Sequence, residues 1–264
     1  MTKNGPFALF FHTLVVIFML APMVLVCLVA FTPENTLSMP WNGFSLRWFK
    51  AVFAHNDFMT SFSNSLKLAF FSATISTLLA VPSGLAIAQY KFRGRDALNA
   101  LFLSPLIIPH LVLGVAFLRL FSLMGLTGSF AWLVATHVIV VTPYALRLIL
   151  ASLSGMDRNA ENAARTLGAG EWTVFRRVTL PLLLPGLSGG WLLAFINSFD
   201  ELTMSIFVTS PSTVTLPVRM YMYASESIDP MMAAVSALMI LVATVTMVII
   251  DRLFGLDRVL VGKG

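Results

Sequence analysis

Residues 157–181 read DRNAENAARTLGAGEWTVFRRVTLP and form a polar stretch between two long apolar runs. The pattern predicts two short helical segments, about 158–167 and 171–177, separated by glycines at 168 and 170. Glycine is favoured where a helix ends and the chain turns tightly. The first segment has small side chains that would let another surface approach closely, at Ala160, Ala163 and Ala164. By itself the stretch is either a docking element or a solvated loop.

The rest of the chain is too apolar for a water-soluble domain. Its 264 residues are 58% hydrophobic and 11% charged, whereas a soluble domain has about 25% charged residues. The one cysteine, Cys27, falls within the first apolar run, which excludes a disulfide within the chain. That run follows Lys3, but it is longer than a signal peptide and has no cleavage motif, so we interpret it as a retained membrane helix.

The apolar runs predict six membrane helices, because a spanning helix needs about 20 apolar residues. They are roughly 9–31, 63–90, 98–121, 130–151, 181–207 and 231–254. The run 202–218 is short and rich in Ser, Thr and Pro, and we interpret it as a helix end followed by a loop. The aromatic-rich segment 32–62 predicts a short helix on the outer surface.

The distribution of charge predicts the orientation. With an even number of spans both termini lie on one side, and that side holds most of the 17 Lys and Arg residues. The positive-inside rule therefore predicts cytoplasmic termini and a cytoplasmic loop 152–180. We expect a multi-pass membrane protein, with no sequence feature typical of nucleic-acid binding.

The 157–181 stretch resembles the EAA motif of binding-protein-dependent ABC importer permeases, which runs Glu-Ala-Ala, three residues, Gly, nine residues, Ile-x-Leu-Pro. The residues in register are Ala163, Ala164, Gly168, Val178, Leu180 and Pro181. The motif glutamate aligns with Asn162, and Glu161 lies one position earlier, so the acidic contact is either shifted to Glu161 or absent.

The resemblance implies an all-α, six-helix membrane fold of the type I importer, or MetI-like, class with a cytoplasmic coupling helix, located in the bacterial inner membrane. It implies a first helix and outer loop over 1–60, a permease core over 61–252 and a cytoplasmic tail over 253–264. The residues implied to couple the chain to a cytoplasmic ATPase are Glu161, Asn162, Ala163, Ala164, Gly168, Leu180 and Pro181. ATP and magnesium would bind that separate ATPase dimer, and this chain would bind no cofactor and catalyse no reaction.

A second segment resembles the spermidine/putrescine branch of the same permeases. It has an acidic pair, Asp200 and Glu201, followed by a Phe-Val-Thr-Ser-Pro turn and a Leu-Pro segment. Helical spacing puts Asn197 on one face with either acid. The resemblance implies half of a pathway for a polyamine, completed by a second permease and supplied by a periplasmic binding protein. A structural alternative is that the two acids cap or kink the fifth helix, or pair with Arg119 or Arg219.

Other functions find less support in the sequence. The chain has no H-E-x-x-H, G-x-S-x-G or Walker A motif, which disfavours a membrane enzyme or an ATPase. Its four histidines lack metal-ligand spacing, and we interpret them as packing or interface residues. The same machinery could import another charged solute, such as an amino-acid derivative or an organophosphonate. An ion-coupled secondary transporter is a further alternative, although no internal repeat is evident.

Overall fold

The structure, a computed structural model, describes residues 5–254, and that part of the chain contains helices but no strand. The helices are α1 (Pro6–Val29), α2 (Arg47–Ala54), α3 (Asn56–Gln89), α4 (Arg95–Leu103), α5 (His110–Met124), α6 (Phe130–Ser154), α7 (Asn159–Thr166), α8 (Glu171–Val174), α9 (Leu180–Phe199), α10 (Ser205–Val208), α11 (Leu216–Glu226) and α12 (Pro230–Phe254). A 3₁₀ turn, Ser104–Leu106, extends α4, and a π-helical turn, Phe175–Thr179, joins α8 to α9.

Within residues 5–254, five helices are long and apolar enough to cross a membrane, and a sixth span results if one bent pair is counted together. This agrees with the all-α fold and with the six apolar segments predicted from the sequence. The start of the fourth span at Phe130 also matches its prediction. Residues 255–264, most of the predicted cytoplasmic tail, lie outside the described part of the chain, as does Lys3.

The third span, predicted over about 98–121, is present as two helical segments separated by a sharp bend. The segments Arg95–Leu106 and His110–Met124 meet at an angle of 98°. Pro105 and Pro109 explain the break, because proline cannot donate a backbone hydrogen bond and disfavours helical geometry in the residue before it. Pro109 itself has an extended ψ of 132° immediately before α5.

The fifth span was predicted to end near 207, but α9 ends at Phe199. The chain then forms the one-turn helix α10, whose first backbone N–H groups bind the carboxylate of Glu201. The loop expected within 202–218 is present at 209–215, where Asn64 donates hydrogen bonds to the carbonyls of Ser212 and Val214. Helix α11 was not predicted.

The chain divides into two compact units, one of residues up to Thr60 with Arg219–Ala243 and one of Ser61–Val218 with the residues from Thr244. In the first unit, the Trp48 indole of α2 donates to the Glu34 carbonyl at 3.0 Å, and Phe31 packs on Phe49. The short helix predicted within 32–62 is present as α2, and α3 already begins at Asn56. Its place on the outer surface stays a prediction. The assignment of 61–252 to one core stays a prediction.

The second unit is built on the close packing of α6 against α9. A Cβ atom at Gly186 would lie 2.4 Å from the Ser152 Cβ, and one at Gly190 would lie 3.0 Å from the Ala145 carbonyl oxygen. Glycines four residues apart let two helix backbones approach closely inside a membrane. This packing holds α6 and α9 together on either side of the loop 152–180.

Candidate functional site

Helix α7 ends in a glycine turn, as the sequence predicts. Gly168 has a positive φ of 83°, in the left-handed region that favours glycine. Its N–H donates to the Arg165 carbonyl at 2.9 Å, and the next N–H, that of Ala169, donates to the Ala164 carbonyl at 3.1 Å. This pair of bonds is a Schellman motif, which satisfies the last carbonyls of α7. The turn thus presents α7 as a short, well-terminated helix.

The loop exposes two large apolar side chains that the sequence analysis missed. Leu167 is 88% exposed and Trp172 is 70% exposed, one on each side of the glycine turn. Asn162, Ala163 and Gly168 are exposed as well. Large apolar side chains in an otherwise polar loop are the signal that could have identified this surface. We call Asn162, Ala163, Leu167 and Trp172 the loop face.

A solvent-exposed ion pair joins Arg165 and Glu171 across the same turn. The Arg165 guanidinium donates from Nε and Nη2 to the two carboxylate oxygens of Glu171, at 2.9 and 3.0 Å. These hydrogen bonds raise the pKa of Arg165 above its ordinary value. Because both side chains reach solvent, the pair contributes little to stability.

Glu161 faces the interior, whereas its neighbours Asn162 and Ala163 on α7 are exposed. Its side chain is buried, and its Oε1 accepts a hydrogen bond from the Thr179 hydroxyl at 2.5 Å and a longer one from the Gln89 amide at 3.5 Å. The side chain of Asn162, at the position of the motif glutamate, is exposed. Of the two candidates for the contact made by the motif glutamate, Glu161 therefore faces the interior and Asn162 faces outward.

Leu180 and Pro181 lie where the π-helical turn passes into α9. The fifth helix was predicted to start at about residue 181. Instead the helical segment is continuous over Glu171–Phe199. Proline cannot donate to the carbonyl four residues earlier, and the widened turn directly precedes it.

The acidic pair after α9 is split between two environments. Asp200 is exposed, whereas Glu201 is 6% exposed. The Glu201 carboxylate accepts from the backbone N–H of Met204 at 2.7 Å and from the N–H and hydroxyl of Ser205 at 2.8 and 2.7 Å. Glu201 thus caps α10, the helix that follows, a role close to the capping considered as the structural alternative for this pair. Asn197, the third candidate, donates to the Leu193 carbonyl.

Two histidines, one buried and one half-buried, join this acid in a polar network that the sequence analysis missed, since no local pattern signals it. His137, in the middle of α6, is fully buried, with Nδ1 2.9 Å from the Ser198 hydroxyl and Nε2 3.0 Å from the Ser205 hydroxyl. His110, the first residue of α5, has its Nδ1 3.5 Å from Glu201. The network connects the break in the third span, the fourth span and the end of the fifth.

In the part of the chain that the structure describes, no three His, Cys, Asp or Glu side chains are grouped so that they could hold a metal ion. Glu161 pairs with neutral side chains, and Glu201 binds backbone and hydroxyl donors. The structure thus has two candidate sites: the exposed loop face within 152–180, and the buried, hydrogen-bonded Glu201 after the fifth span.

Residues 80–255 match the family described as binding-protein-dependent transport system inner membrane component. The chain belongs to this family. The match includes the loop 152–180, the third to sixth spans and the acidic pair. The motif, the helices and the family together identify the chain as the permease subunit of an ABC importer, and its function is transport.

Individual relatives cover almost the whole permease. It is 29% identical over 94% of its length to the spermidine/putrescine transport system permease protein PotC of Escherichia coli, of which it covers 93%. It is 30% identical over 92% of its length to the PotC of Haemophilus influenzae, of which it covers 94%. It is also 36% identical over 78% of its length to the molybdenum transport system permease protein ModB of Mycobacterium bovis, of which it covers 85%.

Solved structures share the fold. The permease resembles a chain of a bacterial ABC transporter that imports the acidic polysaccharide alginate, with a TM-score of 0.69 at 16% identity, covering 96% of this chain and 98% of that one. It also resembles the MetNI methionine ABC transporter in inward-facing conformations, with a TM-score of 0.62 at 20% identity, covering 72% of this chain and 91% of that one. At these identities the likeness shows a MetI-like fold.

Proposed function

We propose that this permease forms half of the translocation pathway for a polyamine such as spermidine or putrescine. The observation that carries the proposal is the similarity, over more than nine-tenths of the chain, to permeases named for those solutes. Asp200 supports it, since an exposed carboxylate suits a cationic solute electrostatically. Asn197 lies one helical turn before it and would add a polar contact. Glu201, being buried, would fix the segment that presents Asp200.

The alternative within the same machinery is another charged solute, such as an amino-acid derivative or an organophosphonate. The 36% identity to a permease named for molybdenum transport supports this alternative, because the chain is then also similar to a relative whose named solute is not a polyamine. Family membership favours the importer over an ion-coupled secondary transporter.

We further propose that the loop 152–180 docks on a cytoplasmic ATPase dimer. ATP and magnesium would bind to that ATPase and not to this chain. Asn162, Ala163, Ala164 and Gly168 would contact the ATPase, and Leu180 and Pro181 would pass the movement to the fifth span. The exposed Leu167 and Trp172 support a protein contact here, since apolar side chains in a polar loop gain from burial. In this arrangement both termini are cytoplasmic, in accord with the positive-inside rule.

Two further partners complete the proposed importer. A second permease of similar fold would supply the other half of the pathway, as a heterodimer, within the bilayer of the inner membrane. A periplasmic binding protein would deliver the solute. One of the fold neighbours is described in complex with a periplasmic protein that carries an alginate pentasaccharide, which supports an equivalent partner here.

The test is to purify the permease with the proteins that accompany it and to reconstitute the complex in proteoliposomes. We expect a periplasmic protein and an ATPase in the complex, binding of spermidine or putrescine by the periplasmic protein, and ATP-dependent uptake of the labelled polyamine. Uptake of an amino-acid derivative, a phosphonate or molybdate, with no polyamine uptake, would overturn the polyamine assignment. Uptake driven by an ion gradient without ATP would contradict the ATPase partner.

A further inference from the structure

Glu161 occupies a position that an ATPase could not reach without displacing the permease's own helices. Only 3% of its surface is exposed, although it lies on a short, otherwise polar helix. A buried carboxylate is costly unless hydrogen-bond donors surround it. The donors here belong to the same chain, namely the Thr179 hydroxyl and the Gln89 amide. Its place in the first turn of α7 adds a favourable helix-dipole interaction.

These donors lie on two spans of the bundle. Thr179 is the last residue of the π-helical turn that leads into α9, and Gln89 is the last residue of α3. A second bond runs beside the first, because the Arg158 guanidinium donates to the Ala88 carbonyl at 3.1 Å. Helix α7 is thus fastened through Arg158 and Glu161 to the end of the second span and the start of the fifth. The loop face stays exposed.

The connection from Glu161 to the fifth span passes through the π-helical turn. Such turns are rare, and they are found mostly at functional positions. Here the turn lies between the glycine turn and the long membrane helix, and its final hydroxyl binds Glu161. A displacement of α7 would move Thr179 through its hydrogen bond to Glu161, at the point where the helix is already irregular.

We propose that Glu161 is a positioning residue that transmits movement of the coupling helix to the second and fifth spans, and that it makes no contact with the ATPase. The inference rests on the docking of loop 152–180 proposed above. It assigns the contact with the ATPase to the loop face, with Asn162 at the position of the motif glutamate. The acid one position earlier has an internal role, set by its hydrogen bonds to Thr179 and Gln89.

The test compares two classes of variant in the reconstituted complex, by the amount of ATPase that co-purifies and by the solute transported per ATP hydrolysed. E161A and T179V should each retain the ATPase while lowering solute per ATP by about fivefold or more, the range of a modest coupling energy. Their effects should not add in the double variant, because both remove the same bond. E161Q and T179S, which keep an acceptor and a hydroxyl, should restore much of the coupling.

Docking variants and a neighbouring acid provide the controls. N162A and L167A should lower ATPase co-purification, and E171A, an exposed acid of the same loop, should leave solute per ATP within about twofold of the parent protein. Loss of the ATPase from E161A to the extent seen in N162A would overturn the inference, and so would full coupling in T179V. Should E161A fail to assemble, the T179V and T179S pair decides, since it changes one hydroxyl. Normal ATPase recovery in both N162A and L167A would instead refute docking.

Discussion

The Nε2 atom of His137 lies 3.0 Å from the hydroxyl of Ser205. That hydroxyl has a single proton and donates it to Glu201 at 2.7 Å, so His137 must donate from Nε2. In the neutral imidazole, Nδ1 then accepts from the Ser198 hydroxyl. One buried side chain of the fourth span therefore orients groups on both sides of the point where the fifth span ends.

Replacing His137 by leucine should destabilise the permease. The change leaves the Ser198 hydroxyl without its partner and removes the donor to Ser205, whose own hydroxyl still donates to Glu201. An unpaired buried polar group costs about 1–3 kcal/mol. Thermal unfolding of the purified protein should show a lower midpoint for H137L. The exposed His12 offers a control, since H12L should leave the midpoint unchanged. Equal midpoints for H137L and the parent protein would contradict a structural role of the network.

The two acids after α9 should respond differently to neutralisation. D200N should weaken uptake of a cationic solute, by raising KM, while leaving assembly and thermal stability intact, because Asp200 is exposed. Measuring uptake kinetics in proteoliposomes together with thermal unfolding separates these effects. Unchanged kinetics in D200N would remove Asp200 from the pathway.

E201Q should instead lower stability. The Glu201 carboxylate accepts three hydrogen bonds from Met204 and Ser205, and an amide in its place turns an NH₂ group toward donors. The expected cost is about 1–3 kcal/mol, measured as a loss in the free energy of unfolding. A fully stable E201Q protein with altered KM would show that Glu201 meets the solute directly.

At Gly168, substitution should act through backbone conformation. A Cβ atom added at this position would have no neighbour within 4 Å, but φ is +83°, which side chains rarely adopt. G168A should destabilise the end of α7 by about 1 kcal/mol and lower solute transported per ATP, with a bulky residue lowering it further. G168N should be milder, because asparagine tolerates this conformation. G170A, with φ of −68° and open space, is the control and should behave as the parent protein.

Gly186 should be sensitive for the opposite reason. A Cβ atom there would meet the Ser152 Cβ at 2.4 Å and the Leu148 carbonyl oxygen at 3.1 Å, so G186A must push α6 and α9 apart. Overpacking of this kind costs about 1–3 kcal/mol. The matched control is G155A, whose Cβ would find its nearest neighbour at 3.9 Å. A stable G186A protein with normal uptake would argue that α6 and α9 separate easily.

The sequence predicted the apolar spans well because membrane helices are set by length and hydrophobicity. It could not predict their ends, since those depend on side chains that compete for backbone N–H groups. Glu201 is the example. Its carboxylate binds the backbone N–H groups of Met204 and Ser205, and the fifth helix ends at Phe199 although the residues after Glu201 are mostly apolar. The break before His110 was signalled by Pro105 and Pro109, but its 98° angle was not.

The loop 152–180 likewise combines features that the sequence predicts with features that depend on tertiary contacts. The sequence by itself determined that a short helix within 157–181 ends in a glycine turn, because a positive φ at Gly168 is a local requirement. It did not determine that the helical segment after the turn continues into the fifth span. Only the tertiary structure decided that Glu161 turns toward Thr179 while Asn162 turns outward, and that His137 meets Ser198 and Ser205. These orientations depend on which groups from distant parts of the chain can form hydrogen bonds with a buried polar side chain. Composition and spacing do not identify such partners.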